Sequence, residues 1–285
     1  MKRISDIDEM IRTCAAIRSE GKSIGLVPTM GALHDGHRSL LKIARGRCDI
    51  LVTSIFVNPS QFGPNEDLAK YPRQIGKDCA LCEAEGVDIV FMPLPNEMYV
   101  EDYSTWIKVD DVSAPLEGER RPGHFIGVAT VVLKFFNIVT PNFAVFGQKD
   151  AQQLAVIRRM VRDLNVPVEI IAAPIVREED GLAMSSRNIY LSTSERKSAP
   201  AIFRGLRAAS RLFANGEFDA SILCRRVRHE LSSFEKLAIE YVSLADSLTM
   251  REQVNAGDGS LISIAVRTPE SGTRLIDNVI LGEIK

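Results

Sequence analysis

The stretch PTMGALHDGH, residues 28–37, places His34 and His37 three residues apart, directly after an apolar run. The run is typical of a buried strand, and the helical spacing that follows indicates a helix starting near His37. Gly31 and Gly36 let the backbone approach a ligand closely, and the free N–H groups of a helix start favour an anion. Two imidazoles at this junction therefore predict a phosphate site.

Metal binding is the first alternative for these histidines, because H-x-x-H can place two ligands on one helical turn. We find no carboxylate or thiolate partner at a matching spacing, which disfavours a metal site. Neither the Walker pattern G-x-x-x-x-G-K-[ST] nor the dinucleotide fingerprint G-x-G-x-x-G occurs in the chain. A bound nucleotide must therefore be held by another device.

Composition narrows the classes of function. The chain has 285 residues, 45% of them hydrophobic, a formal net charge of −2 and a pI near 6.2. This balance supplies no basic field for a nucleic-acid backbone. The charged N-terminus MKRISDIDEMIR is unlike a signal peptide, and no apolar run approaches the ~20 residues of a membrane span. We expect a cytoplasmic protein with small-molecule partners and neither nucleic acid nor membrane among them.

The five cysteines are predicted to pack rather than react. Cys79 and Cys82 form a C-x-x-C pair inside an apparent helix, and the second pair that a zinc site needs is missing. The cysteines other than Cys79 lie in stretches typical of helix or strand interiors. A reducing compartment follows from this interpretation.

Strands alternate with helices through the first 175 residues, which predicts a doubly wound (Rossmann-like) α/β fold with a parallel sheet. We assign residues 1–175 to this domain. The predicted helices cover about 7–17, 38–46, 75–85, 127–139 and 151–164, and the predicted strands 23–30, 49–57, 87–93, 143–147 and 166–174.

The pattern changes after the polar loop 177–188. A capping box at Ser192 and Glu195 starts a helix that Gly216 ends, and a second helix covers about 219–233. Three strand-like runs follow at 240–245, 261–267 and 275–281. Residues 176–285 are therefore predicted to form a smaller α+β domain.

Several motifs carry a family resemblance. The H-x-G-H pattern of residues 34–37, together with MSSR at 184–187, resembles the nucleotidyltransferase superfamily that includes class I aminoacyl-tRNA synthetases. The wider set VPTMGALHDGH, FVNPSQFGPNEDLAKYPR, RPGHFIGVATVV, FGQKDAQQL and GLAMSSRNIYLS is similar to the pantoate–β-alanine ligase (pantothenate synthetase) family. This likeness covers about residues 22–192, with a weaker echo in RLIDNVIL near the C-terminus.

The resemblance implies a two-step ligation. ATP and pantoate give pantoyl adenylate and pyrophosphate, and β-alanine then displaces AMP to form pantothenate, with Mg²⁺ accompanying the nucleotide and a homodimer as the assembly. In-line attack on the α-phosphorus needs positioning and charge neutralisation rather than a covalent nucleophile. Two alternatives stay open, namely another H-x-G-H nucleotidylyltransferase acting on a phosphorylated metabolite and a non-catalytic nucleotide-binding module.

The resemblance also implies that residues 1–175 bind ATP and pantoate and that residues 176–285 act as a lid, and it implies the roles of single residues. It assigns catalysis to His34, His37, Lys149 and Arg187, and contacts with pantoate or β-alanine to Gln61, Gln153 and Arg121. The ATP contacts that it implies are Met30, Gly31, Ala32, Leu33, His34, Asp35, Gly36, His37, Gly147, Gln148, Lys149, Asp150, Val176, Met184, Ser185, Ser186 and Arg187.

Some assignments stay open at this point. Asp35 is interpreted as a helix N-cap or a ligand contact, and Gly36 as a position where a side chain would enter the phosphate path. Asp150 is expected to orient the ribose, the lysine or a helix turn. Asp78 is expected either in an outer Mg²⁺ shell or exposed on the surface. Ser60 stands where the family pattern has Met, which affects packing near the pantoate pocket.

Overall fold

The computed structural model describes residues 1–64 and 66–283, and the first part of the chain builds a six-stranded sheet. All its strands pair in parallel, as predicted, in the order β1-β4-β3-β2-β5-β6. The strands are β1 (Lys2–Ile4), β2 (Ile24–Thr29), β3 (Ile50–Ile55), β4 (Ile89–Phe91), β5 (Phe143–Gly147) and β6 (Glu169–Ala173).

Helices cover both faces of this sheet. One apolar core packs α1, α6 and α7 on one face, and a second packs α2 and α3 on the other. Leu26 and Val27, adjacent in β2, enter opposite cores, as the alternation of side chains along a strand requires. The doubly wound α/β class is confirmed. The helices are α1 (Ile7–Ser19), α2 (Asp35–Arg45), α3 (Ile75–Ala84), α4 (Pro95–Met98), α5 (Glu117–Arg120), α6 (His124–Val139) and α7 (Ala151–Asp163).

The strand order reverses between β2 and β5. The chain runs from β2 outward to β3 and β4, then returns to place β5 on the other side of β2, where Gly25 pairs with Phe143. Ligands of open α/β sheets bind beyond the carboxyl ends of the strands at such a reversal. The loops after Thr29 and Gly147 leave from that point.

The C-terminal part is a small α+β unit, also as predicted. Its three strands pair antiparallel in the order β7-β8-β9, and its helices α9 and α10 pack on them around a separate apolar core. The division at residues 175 and 176 stays a prediction. The elements are α8 (Thr193–Ser198), α9 (Ala201–Ala214), α10 (Ala220–Leu231), β7 (Ala238–Asp246), β8 (Ser260–Arg267) and β9 (Arg274–Ile280).

Two local expectations were wrong, and one strand was missed. The edge strand β1 was not predicted, because its three residues offer only Ile4 as a buried position. The single helix predicted after Ser192 is broken at Pro200, whose ring cannot continue a helix. Cys48 lies in the loop after α2, where its thiol donates to the Ala44 carbonyl.

The other four cysteines lie in helices, and all five are free thiols. Burial raises the pKa of the Cys14 thiol to about 11 and that of Cys82 to about 12. Both thiols therefore act as small apolar side chains at neutral pH. Within the described ranges, no helix is both long and apolar enough to cross a bilayer.

Candidate active site

Helix α2 begins with a reciprocal cap made by the two histidines. His34 is the N-cap residue, and its Nδ1 accepts a hydrogen bond from the Gly36 N–H at 3.1 Å. The His34 N–H in turn donates to Nδ1 of His37 at 3.2 Å, and the two ring centroids lie 4.1 Å apart. Because both Nδ1 atoms accept, each neutral ring carries its proton on Nε2 and can donate from there.

Both imidazoles are held neutral. Burial, and then the Lys149 ammonium, lower the pKa of His34 to about 4. Burial, and then neighbouring His34, lower the pKa of His37 to about 3. Two uncharged donors thus lie side by side at the start of a helix, which suits phosphate oxygens at neutral pH.

One interpretation of this loop needs correction, and the structure adds a second constraint on Gly36. Asp35 is not the N-cap, since His34 holds that position; the Asp35 carboxylate instead pairs with Arg38 in the first turn of α2. A side chain at residue 36 would first meet the His34 ring, because a Cβ there would lie 2.8 Å from a ring carbon. Glycine at 36 thus protects the histidine cap.

The Asp78 side chain binds the backbone of the same loop, although Asp78 was expected on the surface or in an outer Mg²⁺ shell. Its carboxylate is 1% exposed and accepts the N–H of Ala32 at 3.0 Å and that of Leu33 at 2.8 Å. Gly31 and Ala32 adopt positive φ angles of 84° and 52°, the bend that these bonds stabilise. Asp78 therefore positions the histidine loop, and the expectation of surface exposure was wrong.

Strand β5 delivers Lys149 and Asp150 on a 3-10 helix, Gln148–Asp150, that leads into α7. The Lys149 ammonium lies 3.6 Å from the Asp150 carboxylate, which is half-exposed and makes no cap bond to α7. Burial raises the pKa of Asp150, but Lys149 and Arg187 outweigh it and leave the pKa lowered. The Asp150 carboxylate thus stays charged at the cleft.

Strand β3 delivers Gln61 on a second 3-10 helix, Pro59–Gln61. Gln61 is buried, and its Oε1 accepts from Asn58, whose amide also donates to the carbonyl of Gly127 in α6. A Cβ at residue 127 would lie 2.4 Å from the Ser60 carbonyl oxygen, so only glycine lets this turn seat on α6. The Ser60 hydroxyl bonds to Asn58 and Tyr99, which accounts for serine at that position.

His124, which our sequence reasoning did not single out, links Gln61 to Arg121. Its Nδ1 donates to the Gln61 carbonyl at 2.8 Å, and its Nε2 accepts from Arg121 at 3.0 Å. Burial, and then the Arg121 guanidinium, lower the pKa of His124 to about 4, which keeps the ring a donor–acceptor bridge. The motif RPGHF was the available signal.

The two arginines of the site are each paired with a carboxylate from the segment 66–67. Arg187 makes two bonds of 2.8 Å to Asp67, and Arg121 makes bonds of 2.7 and 2.8 Å to Glu66. Ser185 caps the 3-10 helix Ser186–Tyr190 that carries Arg187. These guanidinium groups therefore lie at the cleft with anionic partners already in contact.

The loops enclose a cleft of about 230 Å³ that most of the predicted site residues line together. Its apolar wall comes from α6, through Val128, Val131, Val132 and Phe135, which the sequence did not single out. The predicted residues in the lining are Met30, His34, Gly36, His37, Gln61, Arg121, Gly147, Lys149, Asp150, Gln153, Val176, Met184, Ser185, Ser186 and Arg187.

Five predicted contacts lie outside this lining. Gly31, Ala32 and Leu33 form the bend behind the histidines. Asp35 points to Arg38, and the Gln148 amide bonds to the Asn278 side chain across the sheet edge. The structure therefore brings together the charged and imidazole groups and leaves these five as the frame around them.

The cleft lining offers few protein ligands for a metal ion. Among residues 1–64 and 66–283, no three His, Cys, Asp or Glu side chains cluster as metal ligands do. Asp150 is the acidic residue of the cleft lining, and the Asp78 carboxylate already accepts two backbone N–H groups. These donors fit a Mg²⁺ ion held mainly by substrate phosphates, with one carboxylate nearby.

Comparison with known proteins assigns the family. The model of the family described as pantoate-beta-alanine ligase matches residues 2–280. The chain belongs to the pantoate–β-alanine ligase family. A curated relative, the pantothenate synthetase of Pseudothermotoga lettingae, is 53% identical over 281 residues, which are 99% of each chain.

Solved structures of the same family agree with the fold. The pantothenate synthetase of Thermus thermophilus superposes with a TM-score of 0.93 at 43% identity, covering 99% of both chains. The pantoate-beta-alanine ligase of Francisella tularensis, complexed with beta-gamma ATP and beta-alanine, has a TM-score of 0.80 at 32% identity, with coverage of 98% and 97%. The pantoate–β-alanine ligase fold thus extends over both parts of this chain.

Proposed function

We propose that the cleft catalyses the ATP-dependent ligation of pantoate and β-alanine, the activity of the family, at the residues assembled above. The observation that carries this proposal is the convergence of His34, His37 and Lys149 at the reversal of the sheet, beside Gln61 and Gln153. Neutral imidazole donors and one ammonium suit a phosphoryl group, and the two amides suit a hydroxy acid.

In the first step, a pantoate carboxylate oxygen attacks the α-phosphorus of ATP, and the bond to the bridging oxygen of pyrophosphate breaks. Negative charge grows on the α-phosphoryl oxygens and on the leaving group. The Lys149 ammonium neutralises the first charge, and Nε2–H of His34 and His37 stabilises it by hydrogen bonds. Arg187, Ser185 and Ser186 hold the triphosphate. Preorganised donors of this kind stabilise a transition state without reorganisation.

In the second step, the amine of β-alanine attacks the acyl carbon, a C–N bond forms, and the C–O bond to AMP breaks. The proton lost by the amine passes to solvent. Gln61 and Gln153 hold the pantoyl hydroxyls, and the valines of α6 cover its apolar carbons. Arg121, which precedes α6 in the chain, is a further ligand for an anionic group of the substrates. Val176 borders the adenine.

We further propose Mg²⁺ as the companion of the nucleotide, with Asp150 next to it; when bound, the ion supplies charge neutralisation on the phosphates. Family resemblance supports a homodimer in the cytoplasm. It also supports residues 176–285 acting as a lid domain, with Ser185, Ser186 and Arg187 in the linker that leads to it. Light scattering in solution checks the dimer.

Exchange of radiolabelled pyrophosphate into ATP tests the first step. We expect pyrophosphate exchange with pantoate alone and release of AMP only after β-alanine is added. A nucleotidylyltransferase that stops at adenylation would instead exchange with a phosphomonoester. ATP binding without turnover under any pair of acid and amine would indicate a non-catalytic module.

A further inference from the structure

Strand β9 of the small unit touches the backbone of the catalytic lysine. Asn278 is 3% exposed, and its Nδ2 donates to the carbonyl oxygens of Gln148 at 3.1 Å and Lys149 at 3.0 Å. The Gln148 amide donates back to the Asn278 Oδ1 at 3.4 Å. Both amide hydrogens of Asn278 are thereby used on the 3-10 helix that carries Lys149.

These bonds restrict the direction of the Lys149 side chain. The Gln148 and Lys149 carbonyls belong to the two planar peptide groups on either side of the Lys149 Cα, so holding both carbonyls fixes φ and ψ of Lys149 and the direction of its Cα–Cβ bond. Neither the Gln148 nor the Lys149 carbonyl can rotate without breaking a buried hydrogen bond. Leaving such a group unpaired is costly, so the turn is held in a single orientation.

Asn278 is itself fixed by its neighbour. The Asp277 carboxylate accepts the Asn278 N–H at 2.8 Å and two bonds from Arg177, at 2.6 and 3.0 Å. Arg177 is the first residue of the loop 177–188, which carries Arg187, and it also donates to the Gly181 carbonyl. One strand therefore contacts both the lysine turn and the linker.

We propose that Asn278 is a positioning residue for the adenylation step, which acts by aiming the Lys149 ammonium at the α-phosphoryl group. This inference rests on the role of Lys149 in the proposed function. It assigns a part in the chemistry to the RLIDN segment, residues 274–278, which lies at the opposite end of the chain from the histidine loop. A misplacement of about 1 Å is enough to cost about 10²-fold in rate.

The test is a double-mutant cycle between Asn278→Ala and Lys149→Ala, measured as the single-turnover rate of pantoate adenylation at saturating ATP. Asn278→Ala is expected to slow adenylation by about 10- to 100-fold. In the Lys149→Ala background, the same change should cost less than about twofold, because the group that it aims is gone. Asn278→Leu keeps the volume without the donor and gives the same readout should the alanine variant not fold.

Val279→Ala is the matched control, since Val279 is equally buried on β9 but packs into the core of the small unit. It should destabilise the fold while leaving the adenylation rate of the folded protein unchanged. Two results would overturn the positioning role of Asn278: equal slowing by Asn278→Ala in the parent and Lys149→Ala backgrounds, or no slowing in either. Both would leave the proposed role of Lys149 unchanged. An unchanged rate in Lys149→Ala alone would overturn the lysine's place in the proposed function and, with it, this inference.

Discussion

At the scale of residues, the chemistry depends on which nitrogen of each histidine faces the substrate. Capping uses Nδ1 of both His34 and His37, and this leaves Nε2–H as the donor. The same ring thus serves the helix on one side and the phosphate on the other. Only the second use is part of the reaction, so the two uses are separable by substitution.

His37→Ala should lower the single-turnover rate of adenylation by about two to three orders of magnitude, as removal of a preorganised donor does. His37→Gln, whose amide lies near the position of Nε2, should retain more activity than His37→Asn, whose amide lies near Nδ1. The exposed His229→Ala is the control and should leave the rate unchanged. Equal rates for His37→Ala and the parent protein would remove His37 from the mechanism.

The histidines also predict a pH dependence. Because burial lowers the pKa values of His34 and His37 to about 4 and about 3, the unfolded chain, with values near 6.5, binds more protons between these limits. Stability therefore rises with pH in this window and is lost as the pH falls below about 6.5. Urea unfolding at several pH values measures the trend.

The imidazole resonances of His34 and His37 should accordingly not titrate between about pH 5.5 and pH 8. Lys149→Met should raise the pKa of His34, because the ammonium is the second cause of its lowering. A midpoint near 6.5 for either ring in the parent protein would contradict this assignment.

At the scale of elements, α3 supports the histidine loop through Asp78. Asp78→Asn replaces one acceptor oxygen by an NH₂ group that faces a backbone N–H. Hydrogen bonds to charged groups contribute about 1.5–3 kcal/mol, so we expect ATP to bind at least about tenfold more weakly. Calorimetric titration measures this, with exposed Glu83→Gln on the same helix as the control. Unchanged affinity in Asp78→Asn would mean that the loop holds its shape without that carboxylate.

Most elements could be predicted from the sequence, because their apolar residues repeat with the period of a helix or lie in continuous β-branched runs. The residues that support the site could not be predicted. Asp78 acts on a loop 45 and 46 residues away, His124 on a carbonyl 63 residues away, and Asn278 on a turn 129 and 130 residues away. Such contacts exist only once the strands are in register, and no local pattern encodes them.

At the scale of the whole molecule, the parallel and antiparallel sheets are joined by a buried charge cluster. Glu117 of α5 accepts hydrogen bonds from Arg274 of β9 and from the Tyr241 hydroxyl, while Glu240 binds the same arginine. Removing one partner of such a pair leaves a buried charge unpaired. The cluster therefore stabilises the fold mainly when all of its partners are present.

Glu117→Ala should lower the free energy of unfolding by about 3–5 kcal/mol, the range for breaking a buried ion pair. Exposed Glu119→Ala in the same short helix should change it by less than about 0.5 kcal/mol. Denaturant titration of both variants measures the difference. Equal losses would show that the cluster is no more stabilising than surface charge.

The arginine pairs of the cleft have a consequence for selectivity. Arg187 and Arg121 carry tethered counter-ions, Asp67 and Glu66, supplied by the chain itself. A small inorganic anion must displace a carboxylate present at high effective concentration, with no other contact to compensate. A triphosphate attached to a nucleoside brings that compensation. Small inorganic anions should therefore bind these arginines weakly. Arg187 and Arg121 exchange their carboxylate partners only for a ligand that also contacts other parts of the cleft.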